Sequence, residues 1–264
     1  MKIALAQLNM KFEDKPYAME RCREMTAKAA AQGADVIVFP EMTLTGFTMS
    51  PQVYGEEKEN SPSLAFFQEE ARKHHMAIVC GIIFVAGGIA TNHSLILSET
   101  GEVLADYAKI HPFSYGAEAK HYAGGTELAS CIMRGVPTSP FVCYDLRFPE
   151  IFQAASKKST LLTVIANWPI ARISHWQTLL QARALENQSF IVGVNRSGKD
   201  KTLTYTGDSM LISPEGEILA HLTGEDALQV VEIDPAQAEA YRKKFPLKAD
   251  RKEDLYCRFF QEMK

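Results

Sequence analysis

The chain has 264 residues, with 28 lysines and arginines against 32 aspartates and glutamates and 46% hydrophobic residues. That is enough for one large core, and a formal charge of −4 without a basic block leaves no footprint for a nucleic-acid backbone. No apolar run approaches the roughly 20 residues of a membrane span, and five scattered cysteines (Cys22, Cys80, Cys131, Cys143 and Cys257) fit no disulfide framework. The expectation is one soluble domain over residues 1–264, in the reducing cytoplasm, with neither a nucleic-acid nor a membrane partner.

In chain order, Ile3 to Leu8 is a short apolar run, and an alanine-rich helix follows from about Pro16 to Gly33. Val36 to Phe39 reads as a buried strand. Ser61-Pro62 starts a helix that runs to about His75, and Ala77 to Val85 is a third apolar strand. The second half repeats this order. A strand ends at Phe141-Val142-Cys143, Pro149 opens a helix to about Lys158, and Leu161 to Ala166 is a strand. A helix from about Ser174 to Asn187 and a strand from Phe190 to Asn195 complete the set. Two further segments, Ser94 to Ala105 and Ser209 to Ala220, both read as strand, glycine-bearing turn, strand. Each closes one strand–helix–strand–helix–strand set. The pattern predicts an α/β fold with pseudo-two-fold symmetry: two mixed sheets face to face, helices outside, an αββα four-layer sandwich. The stretches 116–125 and 134–140, rich in glycine and proline, read as loops within the body.

Open α/β sheets bind ligands beyond the carboxyl ends of their strands. There the chain places Glu41 after Val36–Phe39, Lys109 after Val103–Ala108, Cys143 after Thr138–Val142, and Asn167-Trp168-Pro169 after Leu161–Ala166. Each has a plain reading taken singly: a core thiol, a loop acid, a surface lysine. Together they have the makings of acyl transfer, because a thiol needs a base and a developing oxyanion needs a positive group. A Cys–His pair, Cys143 with His121 or His175, is the other acyl-transfer arrangement that linear order leaves open. The histidines show no metal spacing and no phosphate-binding loop is present, so neither a metal nor a cofactor is expected.

The segments Phe39-Pro40-Glu41-Met42 with Thr45-Gly46-Phe47, Lys109-Ile110-His111, Cys143-Tyr144-Asp145-Leu146-Arg147-Phe148-Pro149 and Tyr205-Thr206-Gly207-Asp208-Ser209 together resemble the nitrilase superfamily of carbon–nitrogen hydrolases. The resemblance runs over nearly the whole chain. It implies the αββα sandwich, a homodimer or higher homo-oligomer, and a Glu–Lys–Cys triad: Glu41 as base, Lys109 as electrostatic stabiliser, Cys143 as nucleophile. Glu118 resembles a second glutamate that many members carry, there to orient the lysine or the attacking water; by composition alone it is an exposed loop acid. Asn167-Trp168-Pro169, Arg172, His175-Trp176, Ala182-Arg183-Ala184 and Glu186-Asn187 are similar to the ω-amidase subgroup, which hydrolyses the terminal amide of dicarboxylic acid monoamides such as 2-oxoglutaramate and 2-oxosuccinamate. Pro112-Phe113 departs from the Leu-Phe more usual there, which bears on the nearby pocket wall.

The expected reaction is therefore hydrolysis of a small-molecule amide to carboxylate and ammonia through a cysteine thioester, with Lys109 and the Tyr144 N–H holding the oxyanion. A substrate carboxylate calls for an arginine. Arg172 beside Trp168 is the first candidate. Arg147 is the second, its plainer reading being an ion pair beneath the Cys143 turn. Trp168 and Phe113 are read as pocket walls or as core. Nitrilases proper and N-carbamoyl hydrolases share the triad, and a non-catalytic binding protein shares the fold. A glutamine-dependent NAD synthetase and a lipoprotein N-acyltransferase are not expected, for want of a synthetase domain and of membrane segments.

Overall fold

The computed structural model describes residues 1–263. The first half runs β1 (Lys2–Gln7), α1 (Lys15–Ala31), β2 (Val36–Val38), α2 (Pro51–Tyr54), α3 (Pro62–His74), β3 (Ala77–Ala86), β4 (Ile89–Leu97) and β5 (Val103–Ala108). The second runs β6 (Cys131–Met133), β7 (Val136–Val142), α4 (Pro149–Ala155), β8 (Leu161–Ala166), α5 (Ile173–Asn187), β9 (Phe190–Asn195), β10 (Ser197–Lys199), β11 (Thr204–Ile212) and β12 (Ile218–Thr223). Then come β13 (Ala227–Glu232), α6 (Ala236–Lys244) and α7 (Glu253–Glu262). Local chemistry sets the helix starts. The Asp14 side chain accepts from the Tyr17 N–H ahead of α1, and Ser61 accepts from the Leu64 N–H ahead of α3, each with proline in the first turn.

Two sheets result. In the first, β1, β2 and β3 are parallel, β4 and β5 add antiparallel, and β13 covers the β1 edge antiparallel. In the second, β7, β8 and β9 are parallel, β11 and β12 add antiparallel, and β6 covers the β7 edge antiparallel. The two-fold thus extends to the edge strands, with β13 and β6 in matching places. The extra strand β10 pairs with β11 alone.

Alternation along the strands shows why both faces are apolar. Ile3, Leu5, Val36, Val38, Ala77 and Val79 belong to the core between the sheets, while Ala4, Ala6, Ile37, Phe39, Ile78 and Cys80 join Cys22 and Met25 of α1 and Phe67 and Ala71 of α3. On the other side, Phe152 of α4 and Trp176, Leu180 and Ala184 of α5 cover the second sheet. Both carboxyl-end sets of parallel strands, β2 in one sheet and β7 and β8 in the other, deliver their following residues to one place.

The structure corrects one loop assignment. Residues 134–140 hold a hairpin turn at Arg134-Gly135, both with positive φ, followed by the first five residues of β7. Its prolines mislead because β6 is only three residues long. Pro137 accepts from the Thr160 N–H, so Pro140 faces the opposite edge, beyond the end of β6, where no ladder bond is lost. The helix after Pro149 ends at Ala155, earlier than its apolar pattern suggests. Strands β6 and β10, three residues each, are too short to show in periodicity, and β13 (Ala227-Leu228-Gln229-Val230-Val231-Glu232) lacks a clean alternation.

Candidate active site

Glu41 lies two residues beyond Phe39, in a turn that rests directly on β3. Gly81 makes that approach possible: a Cβ there would stand 2.3 Å from the Met42 nitrogen and 2.9 Å from the Glu41 carbonyl carbon. The turn is pinned by Thr43, whose N–H donates to the Gly81 oxygen at 3.0 Å and whose Oγ1 accepts from the Gly81 N–H at 2.9 Å. Lys109 is the residue after β5. Cys143 is the residue after β7 and opens a 3-10 turn, Cys143–Arg147, with φ at +46°. Left-handed backbone at a non-glycine residue is strained, and such strain concentrates at functional turns. The strand thus ends one residue sooner than the sequence suggests.

The structure brings Glu41, Lys109 and Glu118 into one buried cluster, with exposures of 0%, 1% and 0%. Lys109 Nζ lies 3.0 Å from Glu41 Oε1, and 2.9 and 2.7 Å from the two Glu118 oxygens. Burial by itself pulls the Lys109 pKa down, but the charges of Glu41 and Glu118 outweigh it and hold the ammonium above its ordinary value. Glu118 is therefore no exposed loop acid. Both of its oxygens are occupied, by Lys109, by Asn92 Nδ2 at 3.1 Å and by the Phe113 N–H at 2.7 Å. With both of its oxygens on Lys109, Glu118 is placed to orient the lysine. Asn92, buried in the polar middle of β4 (Thr91-Asn92-His93-Ser94), also donates to Glu41 Oε1 at 2.8 Å and so ties the two carboxylates together. The sequence reading missed it, because Asn92 stands among Thr91, His93 and Ser94 and nothing in that polar run marks it as buried.

The Cys143 thiol sits against this cluster. Burial first, and then the Glu41 charge, push it well above its ordinary value, with Lys109 and the Asn167 N–H opposing. The resting sulfur is a neutral thiol that needs a base to become nucleophilic. Histidine does not supply one: His121 and His175 are exposed, and His175 Nδ1 instead faces the Arg147 guanidinium at 3.3 Å. The Tyr144 N–H lies in the first turn of the 3-10 segment, where helical bonding offers no acceptor.

Above Cys143 opens a cavity walled by Phe47, Phe113, Tyr144 and Trp168, with Leu203 at its mouth and Lys109, Arg147 and Arg172 as its cations. Phe113 and Tyr144 meet edge to face at 5.0 Å. Arg172 lies over the Phe113 ring at 5.4 Å, Arg147 over the Trp168 ring at 4.7 Å. Trp168 is both wall and core, 3% exposed, with its Nε1 donating to the Arg172 oxygen at 2.8 Å. The expected ion pair of Arg147 is overturned: among the described residues neither Arg147 nor Arg172 is paired with a carboxylate. Asp145 takes the place beneath the turn instead, accepting from the Tyr107 hydroxyl at 2.9 Å and the His111 N–H at 3.0 Å. Among the described residues no group of His, Cys, Asp and Glu side chains is arranged to hold a metal, and no helix is long and apolar enough to cross a membrane.

The fold and the site together define a two-sheet αββα sandwich with a thiol on a strained turn at a strand end, beside a buried lysine and two carboxylates. The Carbon-nitrogen hydrolase family pattern matches residues 2–243, and the chain belongs to that family. Among its relatives, the 2-oxoglutaramate amidase of Bacillus subtilis (strain 168) is 31% identical over 92% of this chain and 94% of that protein. The omega-amidase YafV of Yersinia enterocolitica is 36% identical over 81% of this chain and 83% of its own. Among solved structures, a CN-hydrolase superfamily protein from Xanthomonas campestris, with an arsenic adduct in its active site, superposes with a TM-score of 0.89 at 29% identity, covering 95% of this chain and 97% of that one. A variant of the amidase from Nesterenkonia sp. AN1, in which acrylamide has added to the active-site cysteine, superposes with a TM-score of 0.87 at 25% identity, over 98% of this chain and 99% of that one.

Proposed function

We propose that this protein hydrolyses the terminal primary amide of a short dicarboxylic acid monoamide, 2-oxoglutaramate being the leading candidate, to the dicarboxylate and ammonia. The observation that carries the reading is the buried Glu41–Lys109–Glu118 cluster against the Cys143 thiol, at the foot of a cavity holding two guanidiniums without carboxylate partners. In the proposed mechanism Glu41 takes the Cys143 proton and the sulfur attacks the amide carbonyl. Lys109 and the Tyr144 N–H hold the oxyanion, and Glu118 keeps Lys109 charged and in place. The tetrahedral intermediate expels nitrogen, which leaves as ammonia with the proton that Glu41 carried. Water activated by Glu41 then hydrolyses the thioester. Arg172 and Arg147 grip the substrate carboxylate, and Phe113 and Trp168 wall its methylenes. The names of the amidase relatives support the same substrate class.

No resident cofactor takes part in this scheme. The chain is further proposed to act in the cytoplasm as a homodimer, which would cover the exposed Phe245, Phe259 and Phe260 of its C-terminal segment. The test of function is ammonia release from 2-oxoglutaramate, with a mass spectrum of the protein in the presence of the amide. Wild type should turn over and Cys143→Ala should not, with a trapped acyl adduct on Cys143. Activity that survives Cys143→Ala would reject the mechanism.

A further inference from the structure

Asn167 is 5% exposed and lines the cavity beside Cys143. The nitrogen side of its carboxamide is committed. Nδ2 donates to the Glu41 carbonyl oxygen at 2.8 Å and lies 3.3 Å from Glu41 Oε2, while the backbone N–H donates to Glu41 Oε2 at 2.8 Å. Both side-chain partners are acceptors, so the carboxamide has one orientation; exchanging its oxygen and nitrogen would set oxygen against oxygen. Its other end is free. Asn167 Oδ1 is buried and accepts from no group among the described residues. A buried acceptor left without a donor keeps its full desolvation penalty, so a donor brought by a ligand is the natural complement.

The proposed attack leaves one substrate feature unread. The amide carbonyl oxygen meets the oxyanion donors and the nitrogen receives the Glu41 proton, but neither of the nitrogen's own two hydrogens has an acceptor among the residues given roles so far. We propose that Asn167 Oδ1 accepts one N–H of the scissile carboxamide, which makes Asn167 the residue that distinguishes a primary amide from an ester or thioester of the same acid. The inference deepens the amidase reading and rests on it.

The contact also orients the leaving group. The S–H bond breaks as Glu41 takes the proton and the S–C bond forms, with the carbonyl π pair moving to oxygen. In the collapse the C–N bond breaks and the nitrogen takes the proton from Glu41. With one N–H held by Asn167, which is itself bonded to Glu41, the developing lone pair on nitrogen turns toward the carboxyl group that protonates it.

The measurement is kcat/KM for succinamate and for monomethyl succinate, which share the carboxylate and differ in having or lacking the N–H donors. Asn167→Ala also loosens Glu41, a loss felt by both substrates, so the ratio is the readout. The amide is expected to fall about 100-fold more than the ester, in line with the rejection of analogues by sites that bind a donor. Asn167→Asp keeps the acceptor oxygen but sets its second oxygen against the Glu41 oxygens to which Nδ2 donated, so its absolute rates fall on both substrates while the amide-to-ester ratio is expected to stay within about threefold of wild type. If the alanine variant does not fold, the aspartate variant carries the test. Equal losses on both substrates in Asn167→Ala, or a collapsed ratio in Asn167→Asp, would overturn the proposal. Wild type that releases no ammonia from succinamate or 2-oxoglutaramate would instead overturn the amidase reading itself, and release that persists in Cys143→Ala would overturn its thioester mechanism.

Discussion

Asp145 holds His111 by two contacts to one oxygen: the backbone N–H donates to Oδ1 at 3.0 Å, and the ring Nδ1 lies 2.8 Å from the same atom. The other oxygen accepts from Tyr107 at 2.9 Å. Tyr107 and His111 flank Lys109 by two residues on either side, and Asp145 follows Cys143 by two. One carboxylate thus fixes the segment that bears the cation against the turn that bears the thiol. Asp145→Ala is expected to lower stability by on the order of 3 kcal/mol, because it strands several buried donors. It should also reduce kcat by more than it raises KM, since it displaces reacting groups rather than substrate contacts. Denaturant melts and steady-state kinetics on the purified variant check both. A stable variant with full kcat would show that the clamp is dispensable.

Glu41 depends in the same way on Gly81. A methyl group there meets backbone, the Met42 nitrogen at 2.3 Å, which cannot swing aside as a side-chain tip would. Gly81→Ala should push the Glu41 turn off β3 while the sheets persist. A shift near 1 Å in a reacting group is worth about 100-fold in rate. The expected result is a loss of that size in kcat with an unchanged far-ultraviolet circular dichroism spectrum. Unimpaired turnover would mean that the turn accommodates the methyl group without moving its carboxylate.

The parts of this site differ in how far they could be read ahead of the structure. The layered sandwich was legible because its strands are buried on both faces and its hairpins carry glycine turns, so Val36–Val38 and Leu161–Ala166 announce themselves. The strand-end positions of Glu41, Lys109 and Cys143 followed from that. What periodicity does not carry is long-range pairing. Glu118 looks like any loop acid until Lys109, Asn92 and the Phe113 N–H are found on its oxygens. Arg147 looks like a structural ion pair until Asp145 proves to be engaged elsewhere. The hairpin of β6 and β7 was hidden by prolines that only the short length of β6 renders harmless.

The Glu118 contacts make a prediction of their own. Lys109→Ala removes an oxyanion donor of the proposed mechanism, for which the ordinary loss is about 10²–10³ in kcat. Glu118→Gln removes one of the two charges that offset the burial of Lys109, and replaces an acceptor of the Phe113 N–H or of Lys109 with a donor. It should lose activity by a smaller factor, on the order of tenfold, and should raise KM through the Phe113 wall. A pH–rate profile that is flat in wild type across neutral pH, and falls at its alkaline end in Glu118→Gln, would mark a lysine losing its proton sooner. An unchanged profile would place Glu118 outside the control of Lys109.

Lys248 gives a pH dependence of stability away from the site. Burial, and then the charges of Arg242 and Arg251, lower its pKa from 10.5 to about 8, although its Nζ donates to Ser156 Oγ at 2.6 Å. The folded state binds this proton less readily than the unfolded chain. The penalty is therefore full below pH 8, and stability from this group rises as pH climbs from about 8 toward 10.5. Lys248→Met should raise Tm relative to wild type at pH 7, with the gain shrinking as pH approaches 10. A difference in Tm that is constant over that interval would assign the effect to packing.

Arg147 and Arg172 together set the charge that the cavity expects. Burial, with the Arg172 charge adding to it, pulls Arg147 below its ordinary value, as befits two cations facing one space without a counter-charge. A substrate carboxylate relieves both, and a charge-assisted bond of this kind is worth about 1.5–3 kcal/mol. Arg172→Met and Arg147→Met should therefore each raise KM for 2-oxoglutaramate by roughly 10- to 100-fold while changing kcat little, and should leave a neutral amide such as butyramide unaffected. The same field bears on glutamine, which carries an ammonium where 2-oxoglutaramate carries a keto group. That ammonium would enter a space already holding two guanidiniums and the Lys109 charge, with no carboxylate among the described residues that line the cavity to receive it. Wild type should prefer 2-oxoglutaramate to glutamine by about 100-fold or more in kcat/KM, and the double arginine variant should narrow that gap, because it removes a carboxylate attraction that both share and a repulsion that only the glutamine ammonium meets. If butyramide suffers as much as 2-oxoglutaramate in the single variants, the arginines serve the shape of the wall and the carboxylate is recognised elsewhere.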